Sequence, residues 1–388
     1  MTLNWTSLMP HAPVRPGAME YVDRSGGPSE EISRWVLANR SPVLLGGPAG
    51  VGKSTELAQA AQLLQSHRVA CLVPLDRWEN MRRLGPDQLL RRIALRVVEI
   101  ATKRLHLQLS SDLIGALRQG EELPGDSAGP YEASPAALAR LAVTEVARRS
   151  QQGKVTLLID GLEKVPPGAS SLELFDALAD LPEEVELVAV VPWHAAFGPQ
   201  AETVIRSGER FVAARALEVD GERGREGRAF LERVLLRRLQ LPEEVLDADS
   251  TVQAFARSLD EERALVASRR NVVADAAMAS GGVPRTFLQL LADAASYASL
   301  RRGGDWPIAE DVGDACSDQV DTFRRLLLPG DADAALGAVG TDGRELELSR
   351  KIRLMAHGIL LERFRNQAPT LELHPLAQVA IERGHARA

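Results

Sequence analysis

The chain has little cysteine. Cys71 and Cys316 are the only two in 388 residues, far apart and in helix- or strand-like surroundings. That excludes a disulfide framework and a zinc-binding spacing, and it fits a reducing cytoplasm, the compartment expected here. Long hydrophobic runs are missing too. No apolar stretch reaches the roughly 18 residues that a membrane span needs. The opening MTLNWTSLMPHAPVRPG has no apolar core and carries three prolines, so it reads neither as a signal peptide nor as an anchor. Positive charge is not in excess: 46 Lys and Arg against 53 Asp and Glu leave a net −7, with no general pull toward nucleic acid or anionic lipid, although a local basic face stays open. Internal repeats are absent. What remains is ordinary for a globular chain, 45% hydrophobic and 26% charged, and long enough for two or three domains.

The pattern along the chain divides into four stretches. Residues 1–20 read as a flexible tail. Residues 21–219 alternate strand and helix, with buried-strand runs at Val43–Leu45, Val69–Leu75, Val155–Asp160, Glu186–Val191 and Phe211–Val219. Runs of this length, almost continuously apolar, predict a five-stranded parallel sheet covered by helices on both faces, an α/β fold. Leu57, Ala61 and Leu64 form one helical stripe between the strands; Leu89, Ile93, Val97 and Ile100 form another, after Pro86 at a helix start. Gly120–Pro135 is rich in Gly, Pro, Ser and acid and reads as an exposed loop. Strand signals stop at Val219. Residues 220–317 are helical, with a core stripe of Phe287, Leu291, Ala294 and Ala298. Residues 318–388 hold helices and a hairpin, Ile359–Phe364 and Thr370–Leu373 joined by RNQAP, a pattern that suggests a winged helix.

The chemistry is concentrated in LLGGPAGVGKSTEL, residues 44–57. Gly47, Gly52, Lys53 and Ser54 satisfy G-x-x-x-x-G-K-[ST], between an apolar strand and an amphipathic helix. Glycines let the backbone take positive φ and leave room for phosphate oxygens, so that the amides of Gly47, Pro48's neighbours Ala49 and Gly50, and Val51 through Thr55 can surround an anion at a positive helix end. Lys53 is expected to reach the β- and γ-phosphates, and the Ser54 hydroxyl to ligate Mg²⁺. VTLLIDGLEK, residues 155–164, supplies the acid: Asp160 ends an apolar strand, where a carboxylate can serve the metal at the carboxyl edge of the sheet. A catalytic acid directly after it is missing, because Gly161 stands there. Glu163 comes two residues later and is the candidate to activate water; the alternative is a surface charge. Slow hydrolysis, with the nucleotide acting more as a switch than as fuel, is the expectation.

With these motifs the chain resembles the AAA+/STAND group of P-loop ATPases, in the form that ends in a winged helix; the likeness extends over most of residues 20–380. Asp160-Gly161-Leu162-Glu163 looks like the acidic motif of STAND ATPases, and Ser280-Gly281-Gly282-Val283-Pro284-Arg285 like their GxP turn. The resemblance implies ATP and Mg²⁺ as cofactors, a helical lid at 220–317 and lid movement coupled to the γ-phosphate. It makes Arg285 a candidate sensor that touches that phosphate, the alternative being a surface arginine capping a helix. Tyr21-Val22-Asp23-Arg24 looks like the segment that packs near the adenine, and Trp306–Val312 with Ala315 like the last lid helix. Two family features are not evident. The polar residue expected after the fourth strand has only His194 as a candidate, otherwise a loop histidine. An arginine finger, which acts across a subunit interface, has Arg210 as its best-placed candidate and Arg206 next, so a homo-oligomer is left open.

Leu371–Leu376 (LELHPL) resembles the closing segment of such winged helices, which usually pack on the ATPase or present a protein surface. Arg350, Lys351, Arg353, Arg363 and Arg365 could instead meet duplex DNA phosphates, but Glu345, Glu347, Glu362 and Glu372 dilute them. No nuclease, protease or nucleotidase motif accompanies the ATPase, so a separate effector or regulatory protein is the expected partner. Three functions fit: a nucleotide-dependent switch that controls a partner complex, in bacterial signalling or defence against phage; a DNA-associated ATPase of the replication-initiator or transposition-helper type; and a nucleotide-binding scaffold with negligible turnover.

Overall fold

The computed structural model describes residues 3–9, 13–122, 134–166, 169–193, 210–242, 245–246, 259–304, 306–365 and 368–385. The chain divides into two compact units: one of Ser25–Gly47 and Lys53–Ala214, the other of Met1–Arg24, Pro48–Gly52 and Arg215–Ala388.

The first unit is built on five strands, β1 (Val43–Gly46), β2 (Val69–Pro74), β3 (Val155–Asp160), β4 (Val185–Val190) and β5 (Arg210–Ala213), in the order β2-β3-β4-β1-β5. All four pairings are parallel, as the alternating strand–helix pattern predicts. Every residue of β3 is buried, so its sequence shows a continuous apolar run where a half-exposed strand would alternate. Among the described residues, six helices belong to this unit: α1 (Pro28–Leu37), α2 (Lys53–Leu64), α3 (Pro86–Lys103), α4 (Ser111–Glu122), α5 (Pro135–Arg149) and α6 (Ala169–Ala179). The predicted stripe on α3 is the buried one: Leu89, Ile93, Val97 and Ile100 share one core with Ala139, Val143 and Val146 of α5. Each such aliphatic side chain contributes about 1.5–3 kcal/mol by leaving water.

Two expectations in this unit are corrected. The two ends of the predicted loop Gly120–Pro135 are helical. α4 continues to Glu122, while Ser134 caps α5 by accepting from the Ala137 amide at 3.2 Å, with Pro135 in the first turn; residues 123–133 lie outside the described residues. The fifth strand ends at Ala213 rather than Val219. Ala214, Ala216, Leu217 and Val219 stay buried, which is why the apolar signal runs on. The Ala214 amide still donates to the Gly46 carbonyl of β1 at 2.7 Å, but beyond it the backbone pairs elsewhere: the Leu217 amide donates to the Gly282 carbonyl at 2.8 Å.

The second unit holds α7 (Arg225–Leu239), α8 (Leu259–Ala279), α9 (Pro284–Arg302), α10 (Ala309–Leu326), α11 (Asp331–Ala338), α12 (Leu348–Ala356), the hairpin β6 (Leu360–Arg365) and β7 (Ala368–Leu373), and α13 (Pro375–His385). The hairpin is antiparallel, with Leu360 opposite Leu373, close to its expected place. The boundary expected at 317/318 falls inside α10, which runs unbroken through it. The expected loose tail is in part packed. Trp5–Leu8 forms a 3₁₀ turn whose Leu8 is fully buried, and Trp5 meets the Trp306 ring edge-on at 5.3 Å. One turn is too short to leave a periodic signal in the sequence.

Candidate nucleotide site

The sequence LLGGPAGVGKST folds as a loop between β1 and α2. Gly47, Gly50 and Gly52 take φ of +156°, +88° and +99°, values that L side chains rarely adopt. At Gly47 space is short as well: a Cβ there would lie 2.3 Å from the Ala214 carbonyl oxygen, so only glycine fits. α2 opens at Lys53, and its unpaired amides and dipole leave a positive end at the loop. Lys53 is buried, and its Nζ donates to the Gly47 carbonyl at 2.8 Å. Pro48 and Val51 are buried, Ala49 is exposed, and Thr55 lies in the first turn of α2.

At the first turn of α2 the first unit brings together the acids. Ser54 Oγ donates to Asp160 Oδ1 at 3.0 Å, and Asp160, at the carboxyl end of β3, is 5% exposed. Burial raises the Asp160 carboxyl above the usual range; the Ser54 hydrogen bond opposes the rise and the nearby Asp76 charge adds to it. Gly161 then takes φ +100° and starts a 3₁₀ turn, Leu162–Lys164, that carries Glu163. Burial raises Glu163 too, against the pull of Lys53 and with the push of Asp160, so the three charges act on one another. Glu163 Oε2 is buried without a hydrogen-bond partner. Lys164, the next residue, pairs with Asp76. A surface charge would have solvent at both oxygens; Oε2 of Glu163 is withdrawn from it.

Asp76 was not among the candidates. It sits just past β2, whose Pro74 pairs with Asp160 in register. The signal was present, an apolar strand ending in an acid, the same one that marked Asp160.

Residues 48–52 belong to the second unit, and so does Arg285. The Arg285 amide donates to the Gly50 carbonyl at 3.2 Å, and a Cβ on Gly50 would come 2.7 Å from that of Arg285. Pro284 occupies the first turn of α9, which places Arg285 at the helix start. The same unit has a cavity of about 630 Å³ lined by Tyr21, Val22 and Asp23 together with Arg233, Leu236 and Arg237 of α7, a size that suits a small ligand. Arg24 donates to the Arg215 carbonyl at 3.2 Å.

Other predicted residues are not gathered here. Arg210 pairs with Val43 at the amino end of β1, the opposite end from Gly46, and its guanidinium lies 4.5 Å from the Trp35 ring centroid. His194 and Arg206 lie outside the described residues. The basic residues near the hairpin all have partners: Arg350 and Arg353 pair with buried Asp331, and Lys351 donates to the Asp342 carbonyl at 2.7 Å. Arg363 is 4% exposed, and Arg365 pairs with Glu218 and Glu372.

Residues 36–191 match the family model described as the AAA ATPase domain. The chain carries an AAA+ P-loop ATPase domain. Strands β1 to β4, the phosphate loop and Asp160 lie within the matched range, which ends just after β4; β5 lies beyond it. A solved structure described as the Aeropyrum pernix Orc1 protein in complex with DNA aligns with 99% of this chain and 96% of its own length, at 17% identity and a TM-score of 0.45. No curated protein matches the chain. Among the described residues no helix is long and apolar enough to cross a membrane.

Proposed function

We propose that this AAA+ chain binds ATP with Mg²⁺, hydrolyses it slowly, and uses the difference between its nucleotide states to control a partner protein. The observation that carries the reading is the arrangement of Lys53, Ser54, Asp160 and Glu163 at one loop. Two carboxyls raised by burial, with one oxygen lacking any partner, form an environment that a cation would relieve. Among the described residues no group of three or more His, Cys, Asp or Glu could hold a metal unaided. Mg²⁺ usually takes one or two protein oxygens and fills its octahedron with water and phosphate. Ser54 and Asp160 are the residues that would hold it. Bound there, the ion would draw negative charge off the phosphoryl oxygens.

In this reading the loop amides of residues 47–55 hold the phosphates and Lys53 swings from the Gly47 carbonyl to a phosphate oxygen. Glu163 Oε2 orients a water and accepts its proton. Gly161 in place of a second acid sets Glu163 on a turn rather than on the strand, which is the reason hydrolysis is expected to be slow. The cavity lined by Tyr21, Val22 and Asp23 is assigned to the nucleobase, and Arg285 to sensing the γ-phosphate. The lid is assigned to α7–α10 and the winged helix to the part from α11 onward, with α10 shared between them. Pairing of Arg350, Lys351, Arg353, Arg363 and Arg365 within the chain weighs against a DNA-gripping wing and favours a wing that packs or meets protein.

The test is direct. Nucleotide affinity and ATPase rate are compared in the wild type, Lys53→Ala and Glu163→Gln, and proteins that co-purify with Glu163→Gln held in ATP are identified. Unchanged affinity in Lys53→Ala would overturn the site. Measurable binding with fast multiple turnover would overturn the switch.

A further inference from the structure

We infer that Arg363 is a positioning residue that couples the phosphate loop to the β6–β7 hairpin; this rests on the nucleotide-switch reading above. Arginine in the middle of a strand normally points its charge to solvent. Arg363 is instead 4% exposed, and its guanidinium fork spans two separate chain segments. Nη1 donates to the carbonyls of Ala216 and Leu217 at 2.9 and 2.6 Å, and Nη2 donates to the Gly281 carbonyl at 2.8 Å. Nε faces Glu372 of β7 at 3.4 Å. A rigid planar fork can hold three acceptors at once, where an ammonium on a flexible stem could not hold all of them in this geometry. Charge-assisted bonds of this kind are also about twice as strong as neutral ones.

The two clamped segments are themselves joined. The Leu217 amide donates to the Gly282 carbonyl at 2.8 Å. Gly282 has φ +73°, and a Cβ there would lie 1.9 Å from the Leu217 carbonyl oxygen, so the approach requires glycine. The hairpin follows the same stretch with two further pairs, Glu362 with Arg215 at 2.8 Å and Arg365 with Glu218 at 3.3 Å. From Gly281 and Gly282 the chain passes through Val283 and Pro284 to Arg285, whose amide is bonded to Gly50 in the phosphate loop. An unbroken set of contacts therefore runs inside one compact unit from Gly50, through the 280–285 turn, to Arg363 and the hairpin. A nucleotide that reshapes residues 48–52 displaces Arg285 and the turn, and Arg363 carries that displacement into β6.

The experiment is hydrogen–deuterium exchange of the full chain, with and without Mg²⁺ and a non-hydrolysable ATP analogue, read over the loop 46–54, the turn 280–285 and the hairpin 360–373. In the wild type all three regions are expected to change with nucleotide by several-fold in rate. In Arg363→Ala the loop and turn keep their response and the analogue its affinity, while the hairpin response is lost. Arg363→Lys reaches fewer acceptors and gives an intermediate response; it decides the matter if the alanine form does not fold. The proposal is overturned if the wild-type hairpin ignores bound nucleotide, or if either folded variant responds at the hairpin as the wild type does. Absence of any analogue binding by the wild type would sink the nucleotide reading, and the coupling with it.

Discussion

Ser54 and Asp160 stand 106 positions apart in the chain, yet the hydroxyl of one donates to the carboxylate of the other at 3.0 Å. The bond joins the first turn of α2 to the carboxyl end of β3, the two places from which a metal between protein and phosphate would be held. Asp160→Asn keeps the shape and removes the charge. It is expected to lower the Mg²⁺-dependent part of ATP affinity by about 10–100-fold, the range seen when groups that support a metal are altered. Titration of a fluorescent ATP analogue with and without Mg²⁺ measures this; an unchanged Mg²⁺ effect would remove Asp160 from the site.

Glu163→Gln is expected to slow hydrolysis by about 10²–10⁴-fold, the typical worth of a general base, while leaving nucleotide binding near the wild-type value. The pH dependence has a definite sign. Burial raises the Glu163 carboxyl, so the group regains its proton, and loses the ability to accept one from water, at a pH above the ordinary carboxylate range. The acidic limb of kcat in the wild type should lie correspondingly high. Steady-state rates across pH check this, and a limb at the usual carboxylate position would assign the base elsewhere.

DNA binding across a salt series separates a packing wing from a gripping one. The paired state of Arg350 and Lys351 leads us to expect little binding at physiological salt and no salt slope that Arg350→Ala with Lys351→Ala removes. Removing a partner of buried Asp331 should instead cost fold stability: Arg353→Ala is expected to destabilise by about 3 kcal/mol, because it leaves a buried carboxylate with one cation fewer. Thermal denaturation reads the second effect. A steep slope lost in the double variant, with no change in melting for Arg353→Ala, would restore the DNA reading.

His374 is 2% exposed, faces the Phe323 ring at 4.7 Å, and accepts the Leu376 amide at Nδ1 over 3.2 Å. Burial, helped by the Arg363 charge, pushes its pKa down to about 3. In the unfolded chain the imidazole titrates near 6.5, so between these values the unfolded state binds the extra proton. His374 therefore supports the fold fully above about pH 6.5 and loses that support progressively toward pH 3, by up to about 1.4 kcal/mol per pH unit. His374→Asn, which keeps an acceptor for Leu376, should flatten the stability curve in that window. Urea denaturation at several pH values tests it; parallel curves for the two proteins would refute the account.

Much of this was readable from local signals. The phosphate loop was legible because its residue types are each required by the geometry, and the strand-end aspartate because burial on both sheet faces leaves a continuous apolar run before it. The hairpin was legible within a residue or two from its alternation. The rest was hidden where burial and secondary structure part company. Ala216 and Leu217 are buried but not in a strand, since their backbone bonds go to the 280–285 turn and to Arg363. Arg363 looked like one cation among several, because a buried charge leaves no mark in sequence when its partners are backbone carbonyls from distant segments. Asp76 has the same local pattern as Asp160, but one residue of 3₁₀ turn, Leu75, separates it from the end of β2. Trp5 and Leu8 gave too short a pattern to distinguish a docked turn from loose chain.

The uninterrupted run of α10, Ala309–Leu326, has a mechanical consequence. Eighteen residues make a rod about 27 Å long with hydrogen bonds along its whole axis. It packs on α9 and on α13. Such a rod has no elbow: a tilt imposed where it meets α9 reappears undiminished beneath α13. Output from this part of the molecule should then take the form of a swing of a stiff arm, with its amplitude set by distance from the pivot.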